Sequence, residues 1–158
     1  MQIKDKLPHN IIEAMSKSSN KEFADGYVRF LSEEEITEIE SIVKKSYLWN
    51  DGIPFATTVF GDVISWEKGY VMLYKFTDEN YNVLLSGTEF LFENFEDKEY
   101  QKDYFDMELY LKAIKKCGKI AKDKCYVLEP IPKLGGARDI EYVNIGSINE
   151  YIRFLIQI

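Results

Sequence analysis

FATTVFGDVISWEKGYVMLYKF, residues 55–76, is followed by a polar turn, Thr77-Asp78-Glu79-Asn80, and then by Tyr81-Asn82-Val83-Leu84-Leu85. β-Branched and aromatic residues dominate, and the spacing predicts three strands in a row, Val59 to Trp66, Tyr70 to Phe76 and Tyr81 to Leu85. Glu67-Lys68-Gly69 is short enough for a hairpin loop. Alternation sends Tyr70, Met72, Tyr74 and Phe76 to one face and Val71, Leu73 and Lys75 to the other. Both faces are largely apolar. The sheet is therefore expected to be covered on both sides, or covered on one and used for contact on the other. Gly61-Asp62 interrupts the pattern, as a bulge or turn would. Asp62 there is expected to bond neighbouring backbone N–H groups, with a catalytic carboxylate as the alternative.

Upstream, residues 1–22 are weakly patterned and read as an N-terminal extension. Asn10 is a candidate cap for a short helix carrying Ile11, Ile12 and Met15, followed by a polar Ser16–Lys21 connection. Residues 23–158 read as one α+β domain, a central antiparallel sheet flanked by helices. Asp25-Gly26-Tyr27 makes a turn before a short strand ending at Leu31. Ser32 and Glu35 then form a capping box, and Leu31 and Ile36 a hydrophobic staple. Ile36, Ile39, Ile42, Val43 and Tyr47 follow at helical spacing, with Glu34, Glu38, Ser41 and Lys45 opposite. Trp49 to Pro54 reads as a loop into the sheet.

Downstream, Ser86-Gly87-Thr88 precedes a helical stretch with Phe90, Leu91, Phe92 and Phe95. A further helix is expected over Asp103 to Cys117, ended by Gly118. Cys125 to Leu128 and Ile140 to Ile145 read as short strands, separated by Pro130, Pro132 and the turn Leu134-Gly135-Gly136-Ala137. Ser147 and Glu150 suggest a second capping box, opening a final helix with Ile148, Tyr151, Ile152, Leu155 and Ile156 on its buried stripe.

Length and charge narrow the function. The 158 residues suffice for one hydrophobic core. No window approaches the roughly 18 uninterrupted apolar residues of a membrane span, and the N-terminus lacks a secretory pattern, so a cytoplasmic protein is expected. Cys117 and Cys125, with no histidine nearby, read as reduced structural thiols and not as a disulfide or a metal site. A net charge of −7 argues against binding nucleic acid or anionic lipid. Acidic residues crowd Glu93 to Glu108 and lysines crowd Lys112 to Lys124. One reading is a helix whose ends complement its dipole; the other is an acidic docking surface for a basic partner.

Catalytic constellations are hard to assemble. His9 is the only histidine and stands beside Pro8 in the weakly patterned N-terminal region, so no nucleophile triad can be named. Gly135-Gly136 lacks the Gly-Lys-Ser/Thr ending of a phosphate loop. Carboxylate pairs suited to glycosidase chemistry are expected by chance in so acidic a chain. No catalytic, cofactor-binding or metal-binding residue is assigned.

Three pieces in order carry a resemblance: Phe55 to Trp66 with its Phe60-Gly61-Asp62 core, Leu109 through Gly118 to Cys125-Tyr126, and Leu134-Gly135-Gly136 with the strand and helix that follow. Together they resemble the C-terminal domain of immunity proteins that neutralise type VI-secreted DNase toxins. The turn at Asp25, the aromatic strand and the helix capped by Ser32 are similar to the GAD-like N-terminal part of that family. The sequence departs from it at Leu128 to Lys133, where an alanine-rich stretch is usual, so that loop and any partner it touches are expected to differ. The resemblance implies a non-enzymatic protein that binds a cognate toxin, basic and possibly a DNase, and blocks it by occlusion steered by charge. Charge and expected exposure single out Trp66, Glu67, Glu93, Asp97 and Asp103 as contact candidates. An uncovered aromatic sheet face would also accommodate a homodimer. A structural or regulatory interaction module unrelated to toxins is the competing reading, and a small hydrolase the third.

Overall fold

The computed structural model describes residues 3–17 and 22–158, so residues 18–21 of the polar connection lie outside the described residues. Six strands form an antiparallel meander in chain order: β1 (Glu22–Phe23), β2 (Val28–Phe30), β3 (Ile53–Thr58), β4 (Val63–Glu67), β5 (Tyr70–Lys75) and β6 (Asn80–Ser86). Helix α1 (His9–Lys17) precedes the sheet, and α2 (Glu33–Val43) joins β2 to β3. After β6 come α3 (Leu91–Glu96), α4 (Lys98–Tyr104) and α5 (Met107–Cys117). A two-stranded sheet, β7 (Lys124–Leu128) with β8 (Val143–Ser147), and α6 (Ile148–Gln157) complete the chain. The expected α+β class with a central antiparallel sheet is what the chain adopts.

The central stretch holds four strands, not three. Val59 to Asp62 is a turn: Gly61 N–H donates to Thr58 O, and Thr58 N–H donates to Asp62 O. Gly61 sits at φ +82°, and a Cβ there would lie 3.0 Å from the Tyr151 ring. Only glycine meets both demands. Ile53 and Pro54, expected in the loop, open β3 (Ile53–Thr58). Pro54 is tolerated because β2 extends only to the partner of Ala56, and because the β3–β4 register shifts between Pro54 and Ala56. Lys68 and Gly69, at φ +51° and +89°, make the tight β4–β5 hairpin.

Local chemistry explains the helices. Ser32 Oγ accepts the Glu35 N–H while the Glu35 carboxylate accepts the Ser32 N–H, the expected box. Ile36, Ile39, Ile42 and Val43 are buried, but Tyr47 is not the next member of that stripe: α2 ends at Val43 and Tyr47 is 79% exposed. The helix expected from Asp103 is two helices, because Phe105 is extended (φ −118°, ψ 149°) and buries its ring between them. Gly118 ends α5 at φ +81°, its N–H donating to Ile114 O. Asn10 lies inside α1 and does not cap it; its amide donates to Thr88 O at 2.6 Å, and Ile11 is fully buried. Ile140–Tyr142 is a 3-10 turn and the strand begins at Val143. Ser147 Oγ accepts the Glu150 N–H, as half of a box.

Register sorts the sheet's two faces. Phe30, Ala56, Ile64 and Leu73 align across β2 to β5 on one face. The Phe23 ring stacks on Phe92 of α3 at 5.0 Å, and the Phe30 ring lies tilted against the same Phe92 at 6.0 Å. Arg29, Thr57, Val63 and Tyr74 align on the other face. There α2 packs on β3 and on α6. The small sheet joins the large one at Val59, whose N–H donates to Tyr27 O and whose carbonyl accepts the Tyr126 N–H at 2.7 Å.

Candidate functional site

The motif Phe60-Gly61-Asp62 is interior. The Phe60 ring lies 5.9 Å from Tyr27 and 5.8 Å from Tyr126, and Tyr27 stacks on Phe105 at 4.8 Å. Asp62 Oδ2 accepts the Thr58 hydroxyl, and that hydroxyl oxygen accepts the Phe60 and Asp62 N–H groups. Thr58, and not Asp62, is thus the side chain that bonds the turn's backbone. Burial pushes the Asp62 carboxyl up from its ordinary value, against the opposing pull of Lys75 and Arg138. Burial also pushes the Cys125 thiol up to about 12, consistent with an inert core thiol; Cys125 and Cys117 are not joined.

Arg138 ties the C-terminal loop to this region. Its guanidinium donates to Asp106 Oδ2 at 2.6 Å, Asp78 Oδ2 at 2.6 Å and Thr77 Oγ1 at 2.8 Å. The adjoining turn is set by Gly135 at φ +95° and by Gly136, where any Cβ would collide with the Pro130 carbonyl. Leu134 before them is exposed. This motif shapes a loop and supplies no phosphate cradle.

The contact candidates do not converge. Glu93 and Asp103 are exposed on α3 and α4, while Asp97 caps α4, its Oδ1 accepting the Glu99 and Tyr100 N–H groups. Trp66 and Glu67 point to opposite sheet faces. Trp66 is half-buried against the core. Glu67, chosen for expected exposure, is only 7% exposed, because its carboxylate is drawn under Tyr74, whose hydroxyl donates to it at 2.8 Å.

Around Glu67 lies a feature that was not read from the sequence. A groove of about 480 Å³ is walled by Tyr47, Trp49, Tyr70, Tyr74 and Tyr81, with Glu67 at its floor. The Trp49 and Tyr74 rings approach to 4.6 Å, and Tyr74 and Tyr81 to 5.5 Å. Alternation placed Tyr70 and Tyr74 on one face, but only the strand register and the segment after α2 bring the other rings beside them. Among the described residues, no group of three or more His, Cys, Asp or Glu could hold a metal ion, and no helix is long and apolar enough to cross a membrane.

Fold and surface together describe a central sheet between helices, with an open aromatic groove at one place and exposed acidic residues on α3 and α4 at another. Residues 86–158 match the family model described as T6SS immunity protein Tdi1, C-terminal. The resemblance to the type VI secretion immunity family is thereby shown for that stretch. No curated protein matches the chain. Among solved structures, the crystal structure of Atu4351 from Agrobacterium tumefaciens is similar with a TM-score of 0.68 at 15% identity, over 98% of this chain and 77% of that one. At that identity the likeness concerns the fold alone.

Proposed function

We propose that this protein is an immunity-type inhibitor: it binds a cognate secreted toxin in the cytoplasm of the cell that makes it and blocks the toxin by occlusion, without chemistry of its own. The match of residues 86–158 to a type VI secretion immunity family carries this reading. The net charge of −7 suits a basic partner, and a nuclease is such a partner, because a cleft built to attract phosphate also attracts an acidic protein. Glu93 and Asp103 offer negative potential for steering the encounter. Trp66 packs on the core and Asp97 caps α4, so their contribution is to shape the contact surface, while Glu67 floors the aromatic groove. In this reading the turn at Asp25, the strand after it and the helix capped by Ser32 are the counterpart of the GAD-like N-terminal part, while Phe55 to Trp66, likened to the C-terminal domain, lies outside the matched residues 86–158.

The test is co-expression with the toxin candidate encoded beside the gene. Protection of the cells, and a complex on gel filtration whose association slows as salt rises, are the expected results. Cells dying equally with and without this protein, and no complex forming, would overturn the reading.

A further inference from the structure

We propose that the groove floored by Glu67 is a docking site for an arginine side chain carried by a basic protein partner. Glu67 is nearly buried, and among the described residues the donor to its two carboxylate oxygens is one hydroxyl, that of Tyr74, at 2.8 and 3.1 Å. Among the described residues, no lysine or arginine nitrogen comes within ion-pair distance of it, although Lys68 stands at the rim. A buried carboxylate without a cation is costly, and the groove leads from solvent to this one. Beside it, Ser65 Oγ is buried without a partner. Gly52 lets the backbone close over both groups: a Cβ there would lie 3.0 Å from Glu67 Oε1 and 3.0 Å from Ser65 Oγ.

The walls suit a flat cation. Tyr47, Tyr70 and Tyr81 stand 79%, 47% and 52% exposed, which is unusual for aromatic rings gathered round one groove. Their ring faces attract a cation, and a guanidinium both stacks on such faces and forks onto a carboxylate. The Tyr47 hydroxyl donates to Glu79 at 2.5 Å, so a second carboxylate stands beside the wall, and Glu67 and Glu79 together outweigh Lys68. Phosphate-bearing ligands are repelled by this arrangement. A second copy of the chain is poorly equipped to fill it: of the three arginines, Arg29 and Arg138 are engaged inside the fold and only Arg153 is exposed.

The inference rests on the immunity reading only for which protein carries the arginine. The test follows the Trp49 indole resonance of the full chain during titration with acetyl-Gly-Arg-Gly-amide, and with the same peptide bearing citrulline, which keeps the shape and loses the charge. The arginine peptide is expected to move the signal and to bind about tenfold more tightly than the citrulline peptide. Glu67→Gln and Tyr81→Ala are each expected to abolish most of that difference; the second is a surface change that spares the fold. Equal titration by both peptides, no response to either, equal binding by the lysine peptide, or a dimer that buries Trp49 would each overturn the proposal. A toxin complex that forms undiminished with Tyr81→Ala sinks the groove and leaves the immunity reading standing. Charge-dependent peptide binding without any toxin complex supports the groove and sinks that reading.

Discussion

Asp62 and Glu67 bracket one strand, β4, and both are withdrawn from water, yet their surroundings are opposites. Asp62 lies in a closed junction of Phe60, Tyr27 and Tyr151, held by Thr58 and opposed by Arg138. Glu67 lies under a cleft open to solvent, with one phenol as its donor and exposed tyrosines above it. The first end welds the C-terminal elements to the sheet; the second leaves part of the same sheet face uncovered. A single five-residue strand thus separates the part of the molecule that must hold shape from the part free to meet another surface.

That contrast can be broken by substitution. Phe60→Ala empties a fully enclosed ring site and is expected to lower stability by about 4 kcal/mol, read from the denaturant midpoint. Arg138→Ala strands Asp78 and Asp106 and should cost about 2 kcal/mol, less than a fully buried pair because these side chains keep roughly a quarter of their exposure. Asp62→Asn sharpens the picture through pH. The folded-state pKa of Asp62 is raised, so its contribution is present below the ordinary aspartate range and is lost as pH rises through the folded value. The asparagine variant should therefore gain on the parent as pH rises and converge with it in acid; the reverse trend in denaturation curves would show that Arg138 dominates. At the open end, Tyr81→Ala should shift the melting free energy by no more than about 0.5 kcal/mol. A loss there comparable to that of Phe60→Ala would erase the distinction between the two ends.

Local signals in the sequence were legible wherever short-range chemistry decides the outcome. Ser32 with Glu35, Gly118 and the alternation of β5 each act within a few residues, and the chain obeys them. Errors arose where distant partners decide. Pro54 argues against a strand until the short reach of β2 is known, and Tyr47 continues a helical spacing that the end of α2 cuts off. Phe105 fits a continuous helix row, but its ring is wanted between Tyr27 and Phe95, and the backbone extends to deliver it. Charge and expected exposure, which point to the contact candidates, are blind to Glu67's true setting. Its groove draws rings from the segment after α2 and from two strands, so only the register assembles it.

The seam at Val59, where a single residue is bonded to Tyr27 on one side and to Tyr126 on the other, bears on how such proteins can be exchanged by recombination. The stretch 86–158 that defines the family match lacks the six-stranded sheet on which its own Phe92, Phe95 and Tyr126 rest. Transplanted alone, it would bare those rings; grafted onto a foreign front half, it would need a Val59, a Tyr27 and a Phe60 waiting at the graft. The segment is therefore expected to keep its packing only on a platform that supplies those partners.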